Sequence, residues 1–207
     1  MLQSKRTELY IKISALTVFA VLIFFVLIDL YRFRVCFKAA KNIPPFSQTV
    51  LMRFSLYGSG SDTVSAVFYL YNSENKELAA VERSWKGASL AIDFVGARFS
   101  GKTVYFPRFI YGYFSELFPV RSSRKGTRLS RYYMQNKNCL LYDFKGYEKD
   151  FFRLARYALR LDMFGLSQRI SGALYNTHRT LSLAACEPGK TYIIKTDSNG
   201  GLEVLAE

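Results

Sequence analysis

The stretch "TVLMRFSLYGSGSDTVSAVFYLY", residues 49–71, decides the fold class of this chain. Apolar residues alternate with other residues through positions 49–57 and again through 63–71, and a period of two is typical of half-buried strands. The connecting "GSGSD" is rich in turn residues. The two halves therefore predict a β-hairpin with one buried face. The predicted buried positions are Val50, Met52, Phe54, Leu56, Val64, Ala66, Phe68 and Leu70.

The same strand signals continue on both sides of the middle of the chain. Residues 78–84 and 89–95 predict two more strands, and in the second of them Asp93 is expected to face solvent, opposite the apolar side. The C-terminal strands, separated by "EPGK" and "DSNGG", predict a three-stranded meander. These strands span residues 180–185, 191–195 and 202–205.

A helical pattern covers residues 148–164. At 100° per residue, its apolar side chains gather on one broad face, and Arg153, Arg156 and Arg160 gather on the opposite face. Together with the strands, this helix predicts an α+β domain, a mostly antiparallel β-sheet with one or two packed helices. The apolar face comprises Phe151, Phe152, Leu154, Ala155, Ala158, Leu159 and Leu161.

The segment "ISALTVFAVLIFFVLI", residues 13–28, carries no charge and predicts a transmembrane helix. It is slightly shorter than the roughly 20 residues that a bilayer needs, but Tyr10 and Tyr31 stand where interfacial aromatic residues belong. A signal peptide and a buried core helix are the alternatives. The following "DLYRFRVCF" is bulky and charged and offers no small-residue cleavage site, which favours an uncleaved signal-anchor.

The predicted organisation has four parts: a basic tail (1–12), a membrane anchor (13–31), a juxtamembrane linker (32–46) and one basic domain (47–207). Orientation depends on positive charge, and the counts on the two sides of the anchor are nearly equal, three against four. Long domains cross membranes largely regardless of charge, whereas a short tail with three positive charges resists transfer. The balance favours a single-pass protein with the domain outside.

A second stretch, "DFVGARFSGKTVYF" (93–106), fits the phosphate-loop pattern G-x-x-x-x-G-K-[ST]. Downstream, "CLLYDFKG" (139–146) ends an apolar run with D-x-x-G. These two segments resemble the first and second signatures of small GTPases, and a GTPase behind one anchor resembles the β subunit of the signal-recognition-particle receptor. The resemblance implies that the loop cradles phosphates, with Lys102 on the β and γ phosphates and Thr103 and Asp143 at magnesium. The residues concerned are Gly96, Gly101, Lys102, Thr103 and Asp143.

The surroundings of this motif favour a different interpretation. A phosphate loop opens into a helix, but "TVYFPRFIYGYF" is β-branched and aromatic and contains Pro107 and Gly112. The guanine-specificity motif N-K-x-D is missing. The alternative is a hairpin turn at residues 100–102 between strands 89–99 and 103–106. On this interpretation the chain binds no nucleotide, and we predict no cofactor.

Positive charge is the other strong feature. The chain has 29 Lys and Arg against 16 Asp and Glu, and of these 26 and 15 lie in residues 29–207. Such a surface is either simply solvated or contacts an anionic partner: lipid headgroups, an acidic envelope polymer or an acidic protein. The motifs of RNA-binding domains are not matched, so we predict no nucleic acid. The predicted anionic contacts are Arg121, Arg124, Lys125, Arg128, Arg131, Arg153, Arg156 and Arg160.

Signs of catalysis are weak. One histidine, His178, and three cysteines do not have the spacing of a zinc site. A Cys–His pair remains open, and so does a disulfide between Cys139 and Cys186 outside the cell. We therefore predict no catalytic residue, no metal and no covalent chemistry. The sequence predicts a single-pass membrane protein with an extracytoplasmic binding or scaffolding domain; the alternative is a membrane-anchored P-loop nucleotide-binding protein with a cytoplasmic domain.

Overall fold

The computed structural model describes residues 2–43, 50–99, 102–114, 126–142, 144–159, 174–196 and 201–207. Their helices are α1 (Leu2–Asn42), α2 (Ser130–Tyr133) and α3 (Glu148–Leu159). Their strands are β1 (Val50–Ser59), β2 (Thr63–Tyr71), β3 (Glu77–Lys86), β4 (Ser89–Phe99), β5 (Lys102–Tyr113), β6 (Thr127–Arg128), β7 (Met134–Gln135), β8 (Asn138–Cys139), β9 (Leu174–Ser182), β10 (Thr191–Thr196) and β11 (Leu202–Ala206).

Two large antiparallel sheets and the small two-stranded sheet β7-β8 form the domain, which is α+β as predicted. One sheet has five strands in the order β11-β10-β1-β2-β3, and the other has four in the order β6-β5-β4-β9. The hairpin predicted from residues 49–71 is β1 and β2, with Phe54 opposite Phe68. Its predicted apolar face is buried except for Val50, which is half-buried beside a bulge. The alternating pattern therefore predicted the hairpin and its core side correctly.

The predicted C-terminal meander is wrong in one strand. Only β10 and β11 form a hairpin, and this hairpin extends the five-stranded sheet through β1. Strand β9 belongs to the four-stranded sheet, where Leu181 lies opposite Ile92 of β4. The connection 183–190 thus passes from one sheet to the other. Its turn residues suit such a crossing as well as they suit a hairpin, so local sequence did not distinguish the two.

The other crossing between the sheets is a tight turn at Gly87. The backbone N–H of Gly87 donates to the Asp62 carbonyl at 2.9 Å, and that of Ala88 donates to Tyr113 at 3.0 Å. Gly87 has φ +147°, and a Cβ there would lie 2.5 Å from the Tyr113 nitrogen. Glycine is therefore required where β3 ends and the chain enters the second sheet.

Helix α3 lies over the four-stranded sheet with the face that its sequence predicted. Phe151, Leu154, Ala155 and Ala158 are buried, and the Phe151 ring stacks on Tyr142 with centroids 4.8 Å apart. The prediction extended this helix to residue 164. The description of α3 stops at Leu159, and residues 160–173 lie outside the described part of the chain.

Helix α1 is one continuous helix of 41 residues. At a rise of 1.5 Å per residue it is about 60 Å long. The segment predicted as a juxtamembrane linker, residues 32–46, is helical as far as Asn42. Within it, Cys36, Ala39 and Ala40 are buried. The end of α1 is therefore part of the domain core.

Candidate functional site

The apolar segment of α1 is not covered by any other described part of the chain. Its large side chains from Ile13 to Leu27 are exposed, and none of its 18 most apolar consecutive residues is buried. The helix is long and apolar enough to span a membrane. The alternative of a buried core helix does not fit, because a core helix is covered by its own protein. Lys12 and Asn42 bound the candidate span.

The other end of α1 is fixed to α3 by side-chain contacts. The Cys36 thiol donates to the backbone carbonyl of Arg153 at 3.6 Å. The Asn42 amide donates to the Asp150 carboxylate at 3.3 Å, and Asp150 also pairs with Arg153 at 2.9 Å. Higher residue numbers in α1 thus meet lower numbers in α3, so the two helices run antiparallel. The C-terminal end of α3 therefore points back along α1 towards its apolar segment.

Because the two helices are antiparallel, an arginine of α3 lies at a similar position along the axis of α1 as arginines of α1 itself. Arg156 lies one turn beyond Arg153, which places it between the levels of Arg32 and Arg34 on α1 at a rise of about 1.5 Å per residue. All four arginines are exposed. Arg32 and Arg34 were not among the predicted contact residues. The sequence signal was present in the charges that follow the anchor, but nothing in it related them to α3.

The other predicted cations fall into two groups. Arg128 and Arg131 are exposed on either side of the start of α2. Arg128 donates to the Ser130 hydroxyl at 2.9 Å, and the Arg131 guanidinium lies 4.7 Å from the Tyr132 ring centroid. Among the described residues, no hydrogen bond or ion pair links Arg128 or Arg131 to α3. Arg121, Arg124, Lys125 and Arg160 lie outside the described residues.

Charge divides unevenly between the two halves of the domain. In the described residues, the five-stranded sheet and its connections, 50–86, 183–196 and 201–207, carry six basic and seven acidic side chains. The four-stranded sheet, α2, α3 and their connections, 87–182 without the gaps, carry eleven basic and three acidic side chains. The basic excess therefore belongs to the half that contacts α1.

The phosphate-loop pattern occupies a β-hairpin. Gly96 lies inside β4 opposite Tyr105, and Lys102 starts β5 opposite Phe99. A strand, not a helix, follows Lys102, so the helix N-terminus that binds phosphate in such loops is missing. Thr103 is buried, whereas a magnesium ligand must reach the metal. Gly101 and Asp143 lie outside the described residues. The geometry fits the hairpin alternative.

Sequence reasoning missed a buried carboxylate. Asp93 was expected to face solvent but is only 8% exposed. It accepts hydrogen bonds from the Thr180 hydroxyl at 2.8 Å and the Tyr111 hydroxyl at 3.2 Å, and its other oxygen lies 3.7 Å from Nε2 of His178. A bulge in β5 beside Asp93 shifts the register between the two strands. The pattern placed Asp93 on the correct face, but neighbours from β5 and β9 cover that face.

Its environment keeps this carboxylate ionised. Burial alone raises the pKa of Asp93, but His178, Thr180 and Tyr111 together lower it below its ordinary value. Burial and the nearby Asp93 charge raise the pKa of Tyr111 to about 12. Half of the His178 side chain is exposed. The cluster is a buried anion that lies 3.7 Å from a half-exposed imidazole.

The cysteines form no disulfide. Cys36 and Cys139 are buried and Cys186 is half-buried. A pairing of Cys139 with Cys186 had been left open, and both are thiols. Burial raises the pKa of Cys139 to about 12, which suits a core residue and opposes the reactivity of a thiolate. No group of three or more His, Cys, Asp or Glu side chains that could hold a metal occurs in the described ranges.

In comparisons with protein-family models, with curated proteins and with solved structures, nothing matches this chain.

Proposed function

We propose that this protein is a single-pass signal-anchor membrane protein whose basic α+β domain lies on the extracytoplasmic side of the membrane and acts as a binding or scaffolding module. The uncovered apolar segment of α1, residues 13–28, carries the proposal. A helix that is apolar on all sides needs either a protein interior or a bilayer around it, and the described part of this protein leaves it uncovered. The proposal assigns no covalent chemistry to the domain.

The continuity of α1 supports the scaffolding role. Between the apolar segment and the core contacts at Cys36 and Ala40 the chain is helical throughout. A helical connection holds a domain at a fixed height above the membrane, whereas a flexible linker lets it diffuse. The basic half of the domain is the half that contacts α1, so the proposed anchor holds positive charge close to the membrane.

Membrane insertion and orientation can be tested on the full chain. Alkaline carbonate should leave the protein in the membrane pellet, and extraction into the supernatant would remove the anchor. For orientation, Cys186→Ser provides a background in which the remaining thiols, Cys36 and Cys139, are buried. Single Lys76→Cys and Ser4→Cys variants in that background, which leave the charges of the tail unchanged, are then treated with an impermeant maleimide on intact cells.

The two labelling variants should react in opposite ways. Lys76 is exposed in the turn between β2 and β3, so Lys76→Cys should react from outside the cell. Ser4→Cys in the basic tail should react only after lysis. The reverse pattern would place the domain in the cytoplasm and leave the anchor intact.

A further inference from the structure

We propose that Arg32, Arg34, Arg153 and Arg156, called here the membrane-proximal quartet, bind the phosphate groups of anionic lipids in the membrane that α1 crosses. The inference rests on the proposed membrane anchor and names the partner of its basic domain. It holds for either orientation, because the quartet lies at the end of α1 that enters the domain.

Helix packing fixes the quartet in place. Two of its members are on α1 and two are on α3, and the Cys36–Arg153 and Asn42–Asp150 contacts join the helices. Since the helices are antiparallel, the side chains of both project near the same end of the domain. Arg32 and Arg34 are two positions apart and point to nearly opposite sides of α1, so the four cations are spread around the two helices. Their places are fixed by the helices, and no chain segment has to become ordered on binding.

The height of the quartet matches the headgroup layer. Measured along α1 at about 1.5 Å per residue, Arg32 lies about 6 Å beyond Ile28, the last residue of the apolar run, and Arg34 about 9 Å beyond it. On α3, Arg153 lies beside Cys36 and is therefore about 12 Å beyond Ile28. Arg156 is one turn nearer to the apolar segment, about 8 Å beyond Ile28. The headgroup layer is about 5 to 8 Å thick on each side of the hydrocarbon. Long arginine side chains can therefore reach phosphate from all four positions.

The charge of the quartet is only partly compensated. Arg32 lies 3.9 Å from Asp29, and Arg153 pairs with Asp150 at 2.9 Å. Within the described residues, Arg34 and Arg156 have no carboxylate within 4 Å. Guanidinium groups bind phosphate in a two-pronged geometry that suits a lipid headgroup. Arg34 and Arg156 are therefore the members with most charge available to lipid.

The test measures lipid selectivity next to the full-length protein. The protein is reconstituted in phosphatidylcholine vesicles, and electron spin resonance gives the association constant of spin-labelled phosphatidylglycerol relative to labelled phosphatidylcholine. We expect a ratio of about 5 or more for the wild type, since one basic residue near an anionic surface contributes about that factor. The double variant Arg34→Gln/Arg156→Gln should lower the ratio by about half or more but not to one, because Arg32, Arg153 and the basic tail remain. High salt should reduce the wild-type ratio, because counterions screen exposed charges.

Two further variants separate charge from folding and position. Arg34→Lys/Arg156→Lys should keep most of the preference, because it keeps both charges. Lys76→Gln/Lys86→Gln removes two exposed charges from the five-stranded sheet and should leave the ratio unchanged. Unchanged thermal unfolding of the domain in the glutamine variant checks that the quartet, and not the fold, was altered.

The outcomes distinguish this inference from the anchor itself. A protein that does not float with phosphatidylcholine vesicles would refute the anchor and the inference together. A protein that floats but shows a wild-type ratio of one would overturn the lipid inference alone. The lipid inference would also be overturned if soluble polyglutamate, and not the anionic lipid, bound the vesicle-held protein and this binding required the quartet. The partner would then be an acidic polymer or protein.

Discussion

The Cys36 thiol of α1 donates a hydrogen bond to the backbone carbonyl of Arg153 in α3, with 3.6 Å between sulfur and oxygen. A thiol is a weak donor, so the energy of this contact is small, but it shows that the two helices touch closely. Ala39 and Ala40, which follow Cys36 in α1, are almost completely buried. The junction is thus packed with small side chains, and its geometry fixes both the direction of α3 and the height of its arginines.

This packing predicts that Ala40→Leu will destabilise the domain by about 1 to 3 kcal/mol, because the core at this position has no room for a larger side chain. Urea unfolding of the full chain in detergent measures the change. Lys38→Leu is the control, since Lys38 is exposed two residues earlier on the same helix. Equal stability of Ala40→Leu and wild type would mean that α1 does not pack on the domain as described.

Gly96 is explained by packing and not by phosphate. A Cβ at this position would lie 2.5 Å from Oγ1 of Thr177 and 2.9 Å from Cγ2 of Thr103. We expect Gly96→Ala to cost about 1 to 3 kcal/mol in the free energy of unfolding, and Thr177→Ala in the same chain to restore part of the loss. At Gly60 the nearest atom would be 3.6 Å away, so Gly60→Ala is the neutral control. A tolerated Gly96→Ala would contradict the close approach of β9 to β4.

The hairpin also predicts the response to nucleotides. Neither ATP nor GTP with magnesium should raise the melting temperature of the wild-type chain, because a ligand stabilises only a fold that binds it. Lys102→Ala should behave as the wild type does in every nucleotide condition. A nucleotide-dependent rise in the wild type that disappears in Lys102→Ala would restore the phosphate-loop alternative.

The lowered pKa of Asp93 predicts that the domain loses stability as the solution becomes acidic. Its pKa is lowered in the folded state, so its contribution is present above the ordinary value of 3.8 and is lost as the pH falls through the lower folded value. Asp93→Asn should cost about 1 to 3 kcal/mol at pH 7, because an amide cannot accept as strongly from Tyr111 and Thr180. Asp93→Asn should also make the free energy of unfolding, measured in urea between pH 5 and pH 2, depend less on pH than it does in the wild type. Asp62→Asn makes the same change at an exposed turn and should keep the wild-type profile.

The raised pKa of the Cys139 thiol predicts that the domain loses stability as the solution becomes alkaline. The pKa of its thiol rises from 9.0 to about 12 on folding, so the unfolded chain loses this proton first and stability falls as the pH rises between those values. The expected slope is about 1.4 kcal/mol per pH unit for one group. Between pH 9 and pH 10 this slope should be smaller in Cys139→Ala. Val104→Ala, which makes a cavity at another buried position, should lower stability but keep the wild-type slope.

Local pattern predicted the elements well where one periodicity was dominant. The alternation in residues 49–71 identified β1 and β2 and their core side, and the 100° pattern identified α3 together with its buried face. Both signals arise because each element buries one side against the same core. The meander was wrong because turn composition marks where a strand ends and does not specify which sheet the next strand joins. Asp93 was misplaced in solvent because alternation gives its face but not what covers that face.

By itself, the sequence determined that residues 13–28 are apolar on every side, that the domain is α+β and mostly antiparallel, and that its charge is strongly positive. Those properties depend on composition and on short periodic patterns, which do not require knowledge of distant contacts. Only the tertiary structure decided that α3 runs antiparallel to α1, that β9 covers Asp93, and that Arg156 lies at the level of Arg32 and Arg34 on α1. Each of these relationships joins residues about 85 to 125 positions apart, and packing between such distant segments is what propensity and periodicity leave open.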